Sequence, residues 1–422
     1  MRESSYPMVS VEDALALILS QVAPLPAELT PLHDALGRVL AEDVHAPAAQ
    51  PPFPAAVVDG FALIAADGAG PRRLIGEQMA GYVAEIVVEP GTAARITTGA
   101  PIPPGADAVV MVERADEVDG WVTPHPGQNL RPGLGIRPVG SDVQAGQQVL
   151  TADQVLGPAE LGVLASLGMD RALVHRRPVV GVFSTGDELA EPGQPLALGQ
   201  IYDSNRPILL AAVAQAGGQP LDLGIIRDRP GELEQKLAAG LVAADLLVSS
   251  GGVSMGELDL LKPLLARWGV VHFGRVQMKP GKPMTFATLP ARSANGQIDP
   301  AGRAKPIFAL PGNPVSSLVT FQLFVRPAIR RLLGYQAVGL PQINAALGHE
   351  LRLDPERPEY HRVTLRREDG RFVAVSTGSQ ASSRLLSASG ANGLLVLEQA
   401  TGVLPAGVER PVLMLDDGWL SG

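Results

Sequence analysis

The 422-residue chain contains no cysteine. This excludes disulfide staples, thiolate nucleophiles and thiolate-held metals. Aromatic residues make up only 4%, so the cores must be built from Leu, Val, Ile and Ala. Basic residues are outnumbered, 34 Lys plus Arg against 43 Asp plus Glu, giving a formal net charge of −9. A polyanion such as nucleic acid is repelled by that balance unless a basic stripe is present. The doublets Arg72-Arg73, Arg176-Arg177, Arg330-Arg331 and Arg366-Arg367 are too dispersed to make one. No apolar run reaches the ~18–20 residues of a membrane helix. The opening MRESSYPMVSVEDAL lacks the basic-then-apolar layout of a secretory signal. A cytoplasmic protein with neither a nucleic-acid nor a membrane partner is expected.

What the sequence does have is a 46% hydrophobic composition, punctuated by 47 glycines and 38 prolines. At roughly 100–200 residues per domain, several domains are expected. Ser10 followed by Asp13 reads as a helix cap before VEDALALILS, and a second helix is predicted over 31–40. Between 47 and 140 the pattern becomes short β pieces (FALIA, EIVVE, AARITT, DAVVMVE, WVT) separated by turn formers. This is a mainly β module inserted into a helical linker domain made of 1–46 and 141–177, the latter with a helix in LGPAELGVLASLG. From 178 to 330 strands alternate with helices, the signature of βαβ units and a mostly parallel sheet. Within it, Ser204 is the expected cap of the helix that follows. Residues 291–305 read as a surface hairpin loop. From 331 to 422 alternating strands with Gly and Pro between them predict a β-barrel-like domain. The fold class is therefore multidomain α/β around a central αβ sandwich.

In an open parallel sheet, ligands bind beyond the carboxyl ends of the strands. Four segments fall there: STGDEL (184–189), Arg227-Asp228, SSGGVSMGELD (249–259) and LPGNPVSS (310–317). Gly251 and Gly252 suit positive φ and bare amides, with Ser249, Ser250 and Ser254 as further donors. That pattern reads either as an anion cradle or as a tight turn. The acids Asp187, Glu188, Asp228, Glu257 and Asp259 share the same edge. They serve either as helix-terminal acids or as oxygen ligands for a hard cation such as Mg²⁺. KPGKP sets Lys279 and Lys282 in a stiff turn with Arg275 upstream, suited to oxyanion oxygens. In the inserted module, Asp59, Thr98, Arg137 and Asp142 form a second polar group. Neither a dinucleotide fingerprint nor a phosphate-binding lysine loop of the G-x-x-x-x-G-K-[ST] type is present.

The series VDGFA, TTGAPIPPGADAVVMVE, RPVGSD, STGDEL, YDSN, SSGGVSMGELD, KPGKP, LPGNPVSS and STGSQASSRLLSASGANGLLVLE runs from about 57 to 398. In that order it resembles the molybdopterin molybdenumtransferase family, relatives of the gephyrin E domain, over essentially the whole chain. The resemblance implies insertion of molybdenum from molybdate into adenylylated molybdopterin, with release of AMP and help from Mg²⁺. It implies a homodimer, with a handover of substrate from a molybdopterin adenylyltransferase. It assigns functional acids to Asp59, Asp142, Glu188, Asp228 and Asp259; of these, Glu188, Asp228 and Asp259 are the expected metal ligands on the charge argument above. It assigns Thr98 to the TGA element and Arg275 and Lys279 to the phosphate side. Pro311, Gly312, Asn313 and Pro314 form the substrate loop, joined by Lys282 and by Arg362 and Ser382 of the last domain. Arg275 stands where some members carry lysine, and 291–305 resembles an added loop. The alternatives are an adenylyltransferase, a tungsten-selective paralogue and a gephyrin-like scaffold.

Overall fold

The computed structural model of the chain describes residues 7–227, 229, 231–252, 260–293 and 297–415. Ser254, Asp228 and Asp259, singled out above, lie outside the described residues, as does Glu257. The chain forms two compact units, one of Leu29–Leu173 and one of the segments before and after it.

The larger unit is built on a six-stranded sheet. Its order is Gln219–Ile226, Val179–Thr185, Leu246–Ser250, Lys305–Leu310, Thr285–Leu289, Val270–Phe273. The first four strands are parallel, Thr285–Leu289 runs against them, and Val270–Phe273, antiparallel to that strand, returns to their direction. The central strands read as unbroken apolar runs because both faces are covered. Alternation then divides each strand. Val180, Val182, Val248 and Phe308 face one core, while Phe183, Leu247, Ile307 and Ala309 face the other. Register places Ser184 beside Ser250 and Ser250 beside Leu310. The turns after these strands therefore emerge side by side at one sheet edge.

Helices flank the sheet at Asn205–Gln215, Glu232–Ala243, Leu261–Trp268 and Pro314–Leu332. The last has a wider turn over Phe321–Val325, just before Pro327, whose ring nitrogen cannot donate. The first helix, Val11–Gln21, is capped as expected, with the Asp13 amide donating to Ser10 Oγ at 2.9 Å. Its Ala14 and Ile18 bury in the same core as Phe321 and Ile329. The helix at 205 is capped differently from expectation. The Ser204 side chain makes no cap bond; instead Asp203 Oδ1 accepts from the Arg206 amide at 3.1 Å. The carboxylate is stronger there because it also binds the Arg206 guanidinium and the Ser184 hydroxyl. Strands Gln342–Leu347, Glu359–Glu368, Arg371–Ser376, Gly393–Leu397 and Glu409–Met414 form a closed barrel. Leu347, Val363, Leu395 and Val412 fill it. At 291–305, Arg292 and Ile298 pair in antiparallel fashion, as a hairpin requires.

The Leu29–Leu173 unit holds a second six-stranded sheet. Its order is Ala108–Met111, Gly60–Leu63, Thr92–Ile96, Arg72–Gln78, Trp121–Pro124, Ala115–Val118. Two local expectations fail here, and two strands were not foreseen. Residues 31–40 contain only a short 3₁₀ turn, Leu32–Asp34, since Pro31 is extended and Gly37 takes φ 71°. EIVVE is irregular, tied down by a bond from the Val88 amide to Pro104 O. Arg72–Gln78 and Ala115–Val118 are strands despite polar, weakly alternating sequences, because neighbouring strands supply their ladders. The helix expected near 158 is present at Pro158–Ser166, with Glu160 accepting from the Gly157 amide.

Phe308 is fully buried, its ring 4.9 Å from that of Phe286. Phe308→Ala should destabilise the larger unit by about 3–5 kcal/mol, the range for an aromatic truncated in a packed core. Chemical denaturation followed by tryptophan fluorescence checks this, and a loss below about 1 kcal/mol would contradict the packing described.

Candidate active site

At the carboxyl edge of the parallel strands lies a cleft of about 760 Å³. Glu188 and Ile201 wall it on one side, the KPGKP turn (279–283) on another, and Pro311, Gly312, Asn313 and Ser316 on a third. The barrel closes it with Arg357 and the segment Gln380–Ser382. Two segments expected at strand ends, around 188 and 310, thus meet the KPGKP turn and the last domain at one cavity. Of the predicted residues, Glu188, Lys279, Lys282, Pro311, Gly312, Asn313 and Ser382 line it.

The loops are stitched together by specific bonds. Asn205 Nδ2 donates to Ser250 Oγ at 2.6 Å and to Gly312 O at 2.7 Å, tying the end of the third strand to the PGNP turn. Asn313 Nδ2 donates to Ser382 Oγ at 2.9 Å, and the Val315 amide to Ser382 O at 3.2 Å, tying that turn to the barrel. Pro314 opens the helix behind it, where a missing N–H has no consequence.

Gly251 and Gly252 take φ 88° and 68°. A Cβ at Gly251 would stand 2.8 Å from Thr185 O, and one at Gly252 2.9 Å from Thr185 Oγ1. Both glycines therefore serve close backbone approach, as the tight-turn reading requires. The Gly251 amide is committed to Leu310 O at 3.1 Å. Ser249 and Ser250 are buried and do not line the cleft. None of these four residues is among the described lining of the cleft. Three buried side-chain oxygens near this edge, on Thr185, Asn205 and Ser249, have no hydrogen-bond partner among the described residues.

Lys279 is held on two sides by the barrel. Its amide donates to Pro358 O at 2.9 Å, and its carbonyl accepts from the Tyr360 amide at 2.8 Å. Its Nζ lies 3.1 Å from Asp354 Oδ2 and 3.4 Å from Glu359 Oε2. Burial pushes the Glu359 carboxyl up, but His361 and Lys279 outweigh it and hold it below the usual range. For Asp354 burial is likewise overcome, by the Glu356 amide, Lys279 and the Arg357 amide. Among the described residues Lys282 and Arg357 have no ion pair, and the buried Arg357 Nε has no hydrogen-bond partner. Glu188 is exposed and also lacks an ion pair among the described residues.

Two predicted residues sit elsewhere in this unit. Arg362 is 1% exposed, beneath the loop rather than in the cleft wall. It donates to Ser387 Oγ at 3.1 Å, while its amide donates to Gln380 Oε1 at 2.8 Å. Burial lowers its pKa to about 10, with Glu359 opposing. It shapes the Gln380–Ser382 wall from behind. Arg275 lies in a two-residue parallel pairing with Met8, outside the lining. In the other unit, Asp59 Oδ1 accepts from the Thr98 amide at 2.7 Å and hydroxyl at 2.8 Å. Gly60 follows because a Cβ there would strike Val110 O. Asp142 is ion-paired with Arg137.

Sequence reasoning missed Asn205, Asp354, Arg357, Glu359 and Gln380. YDSN contained the signal for Asn205, a side chain too polar for the start of a buried helix. The others lie in a strand and loops whose distance in sequence from KPGKP hid their contact.

The chain is matched by three family models. One describes the MoeA N-terminal region (domains I and II) over residues 9–168, one a probable molybdopterin binding domain over 181–331, and one the MoeA C-terminal region (domain IV) over 344–415. A molybdopterin molybdenumtransferase of Nostoc is 36% identical across 97% of this chain and 94% of its own length. The chain belongs to the molybdopterin molybdenumtransferase family. The family's enzyme from Haemophilus influenzae is also 36% identical, over 95% of this chain and 97% of its own. Gephyrin of Dictyostelium discoideum is 39% identical over 96% of the chain, which spans 62% of that protein. Among solved structures, a molybdopterin biosynthesis MoeA protein from Pyrococcus horikosii superposes with a TM-score of 0.81 at 30% identity, covering 97% of this chain and 100% of that one. The closed barrel and mixed sheets are thus those of the family.

The Thr98 amide, then its hydroxyl, hold the Asp59 carboxyl below its ordinary pKa. A depressed carboxyl stabilises the fold above its unfolded pKa, and the contribution is lost as pH falls through the folded value. Thr98→Val removes the hydroxyl bond and should raise the Asp59 pKa, measured by carbon-13 NMR titration. An unchanged titration would contradict the geometry.

Proposed function

We propose that this cleft holds adenylylated molybdopterin and molybdate together for molybdenum insertion and release of AMP. The activity is that of a molybdopterin molybdenumtransferase in molybdenum cofactor biosynthesis. The observation that carries the reading is charge placement: in a chain of net −9, the described cleft lining carries Lys279, Lys282 and Arg357 against the single carboxylate Glu188. Both substrates are anions and repel each other. Fixed cations around one cavity lower that repulsion without needing to reorganise.

Lys282 and Arg357 give point and bidentate contacts respectively to phosphate or oxyanion oxygens. Asn313, Ser316 and Ser382 add neutral polar contacts at the same wall. Glu188 is exposed, unpaired among the described residues, and offers only oxygen donors, which suits a hard cation. Mg²⁺ would be held by Glu188 with Asp228 and Asp259, and would supply charge neutralisation between the anions. Asp59, Thr98 and Asp142 of the other unit complete the functional set in this proposal, with two chains acting as a homodimer. The substrate arrives from a molybdopterin adenylyltransferase, and the setting is cytoplasmic.

The test is a transfer assay with adenylylated molybdopterin, Mg²⁺ and molybdate, reading AMP release and molybdenum retained. Lys282→Ala should lower the transfer efficiency roughly 10- to 100-fold, the weight of one charged hydrogen bond. Supplying ATP and molybdopterin in place of the adenylylated substrate should yield no adenylylation. Parent-level transfer by the variant, or adenylylation from ATP, would contradict the reading.

A further inference from the structure

Lys279 presents a puzzle. A cation lining an anion cleft stands against two carboxylates, Asp354 at 3.1 Å and Glu359 at 3.4 Å. Carboxylates so near an oxyanion site oppose binding through space. Asp354 nevertheless does more than pair with Lys279. Its Oδ1 accepts from the Glu356 amide at 2.8 Å and the Arg357 amide at 3.2 Å, closing a turn that fixes the Arg357 backbone. Its Oδ2 takes Lys279. One carboxylate, with only 14% of its side chain exposed, thus holds two cleft-lining cations that belong to different segments of the chain. Arg357 is left with a buried Nε that has no partner among the described residues.

We infer that Asp354 is a positioning residue: it aligns Lys279 and Arg357 on a tetrahedral oxyanion, and this alignment outweighs the repulsion its own charge brings. Lys and Arg side chains are long and lose considerable rotamer freedom when a ligand fixes them. Asp354 and Glu359 impose that order on Lys279 before the ligand arrives, and the turn does the same for the base of Arg357. Binding then needs less ordering at the moment of contact. The inference rests on the reading of the cleft as an anion site.

The two effects have opposite signs, which makes the inference testable. If Asp354 acted only through its charge, removing it would tighten anion binding. Positioning requires the reverse. Titration calorimetry of the full chain with sodium molybdate, and separately with AMP, provides the readout and distinguishes a free oxyanion from a nucleotide phosphate as the group held. Asp354→Ala should weaken at least one of them roughly 5- to 20-fold. Asp354→Asn retains the acceptor for the turn but not the ion pair, and should lie between Asp354→Ala and the parent. In a Lys279→Ala, Arg357→Ala background, Asp354→Ala should have less than a two-fold effect, since the residues it acts through are gone. Thermal melts of each variant identify a general loss of folding, which the triple substitution would share.

Affinity equal to or tighter than the parent for Asp354→Ala overturns the inference. So does a full-sized effect of Asp354→Ala in the doubly substituted background. Lys282→Ala separates the two levels. If it weakens binding while Asp354→Ala does not, the cleft reading stands and the positioning role falls. If the parent binds neither anion, or if neither substitution matters, both fall.

Discussion

The arrangement of the cleft depends on how the KPGKP turn is gripped. Lys279 forms two backbone hydrogen bonds with the edge of the barrel, through Pro358 O and the Tyr360 amide, and two ion pairs with Asp354 and Glu359. A second tie, from Asn313 and Val315 to Ser382, fixes the opposite wall. Without these ties the barrel and the αβ sheet would share a core but no defined crevice. With them, Arg357 and Gln380–Ser382 face the loops at the strand ends.

The electrostatic design follows from that grip. A strongly acidic chain repels anions over most of its surface, so affinity must come from a local reversal of sign. The reversal is made with few cations, each in a different state of restraint. Lys279 is compensated and immobilised, whereas Lys282 and Arg357 are uncompensated among the described residues. Ion pairs elsewhere in the unit have another purpose. Arg206 with Asp203, Asp222 and Glu191, and Arg176 with Asp245, pin strand and helix ends. Breaking the buried Arg206–Asp203 pair would leave a charge stranded, which is more harmful than never having had the pair.

Much of this was legible in the sequence, for identifiable reasons. Parallel strands buried on both faces leave unbroken apolar runs, so VVGVFS and DLLVSS declared themselves and led to the sheet edge. Proline-glycine turns such as KPGKP and LPGNP are short and stiff enough to keep their meaning in any context. The barrel strands are short β-forming runs set apart by Gly and Pro. What stayed hidden was whatever neighbours decide. The strand Arg72–Gln78 is polar and owes its extension to adjacent ladders, while EIVVE has β-forming residues but no partner strand. Ser204 has the chemistry of a cap, yet Asp203 takes the role because a guanidinium waits nearby. At the site, Lys279, Lys282 and the PGNP turn were readable from their local motifs and their place at strand ends. Asp354, Arg357 and Glu359 were not, since nothing in ERPEY tells which distant lysine it will meet. Arg362, assigned to substrate by resemblance, is buried as a support for the loop above it.

The central claim is that the crevice among the KPGKP turn, the PGNP turn and the 380–382 segment receives the oxyanion. Anomalous diffraction at the molybdenum edge, from crystals of the protein soaked in molybdate, tests it most directly. A molybdenum peak is expected within hydrogen-bonding reach of Lys282 and Arg357. Ordered molybdenum found only outside that crevice would contradict it.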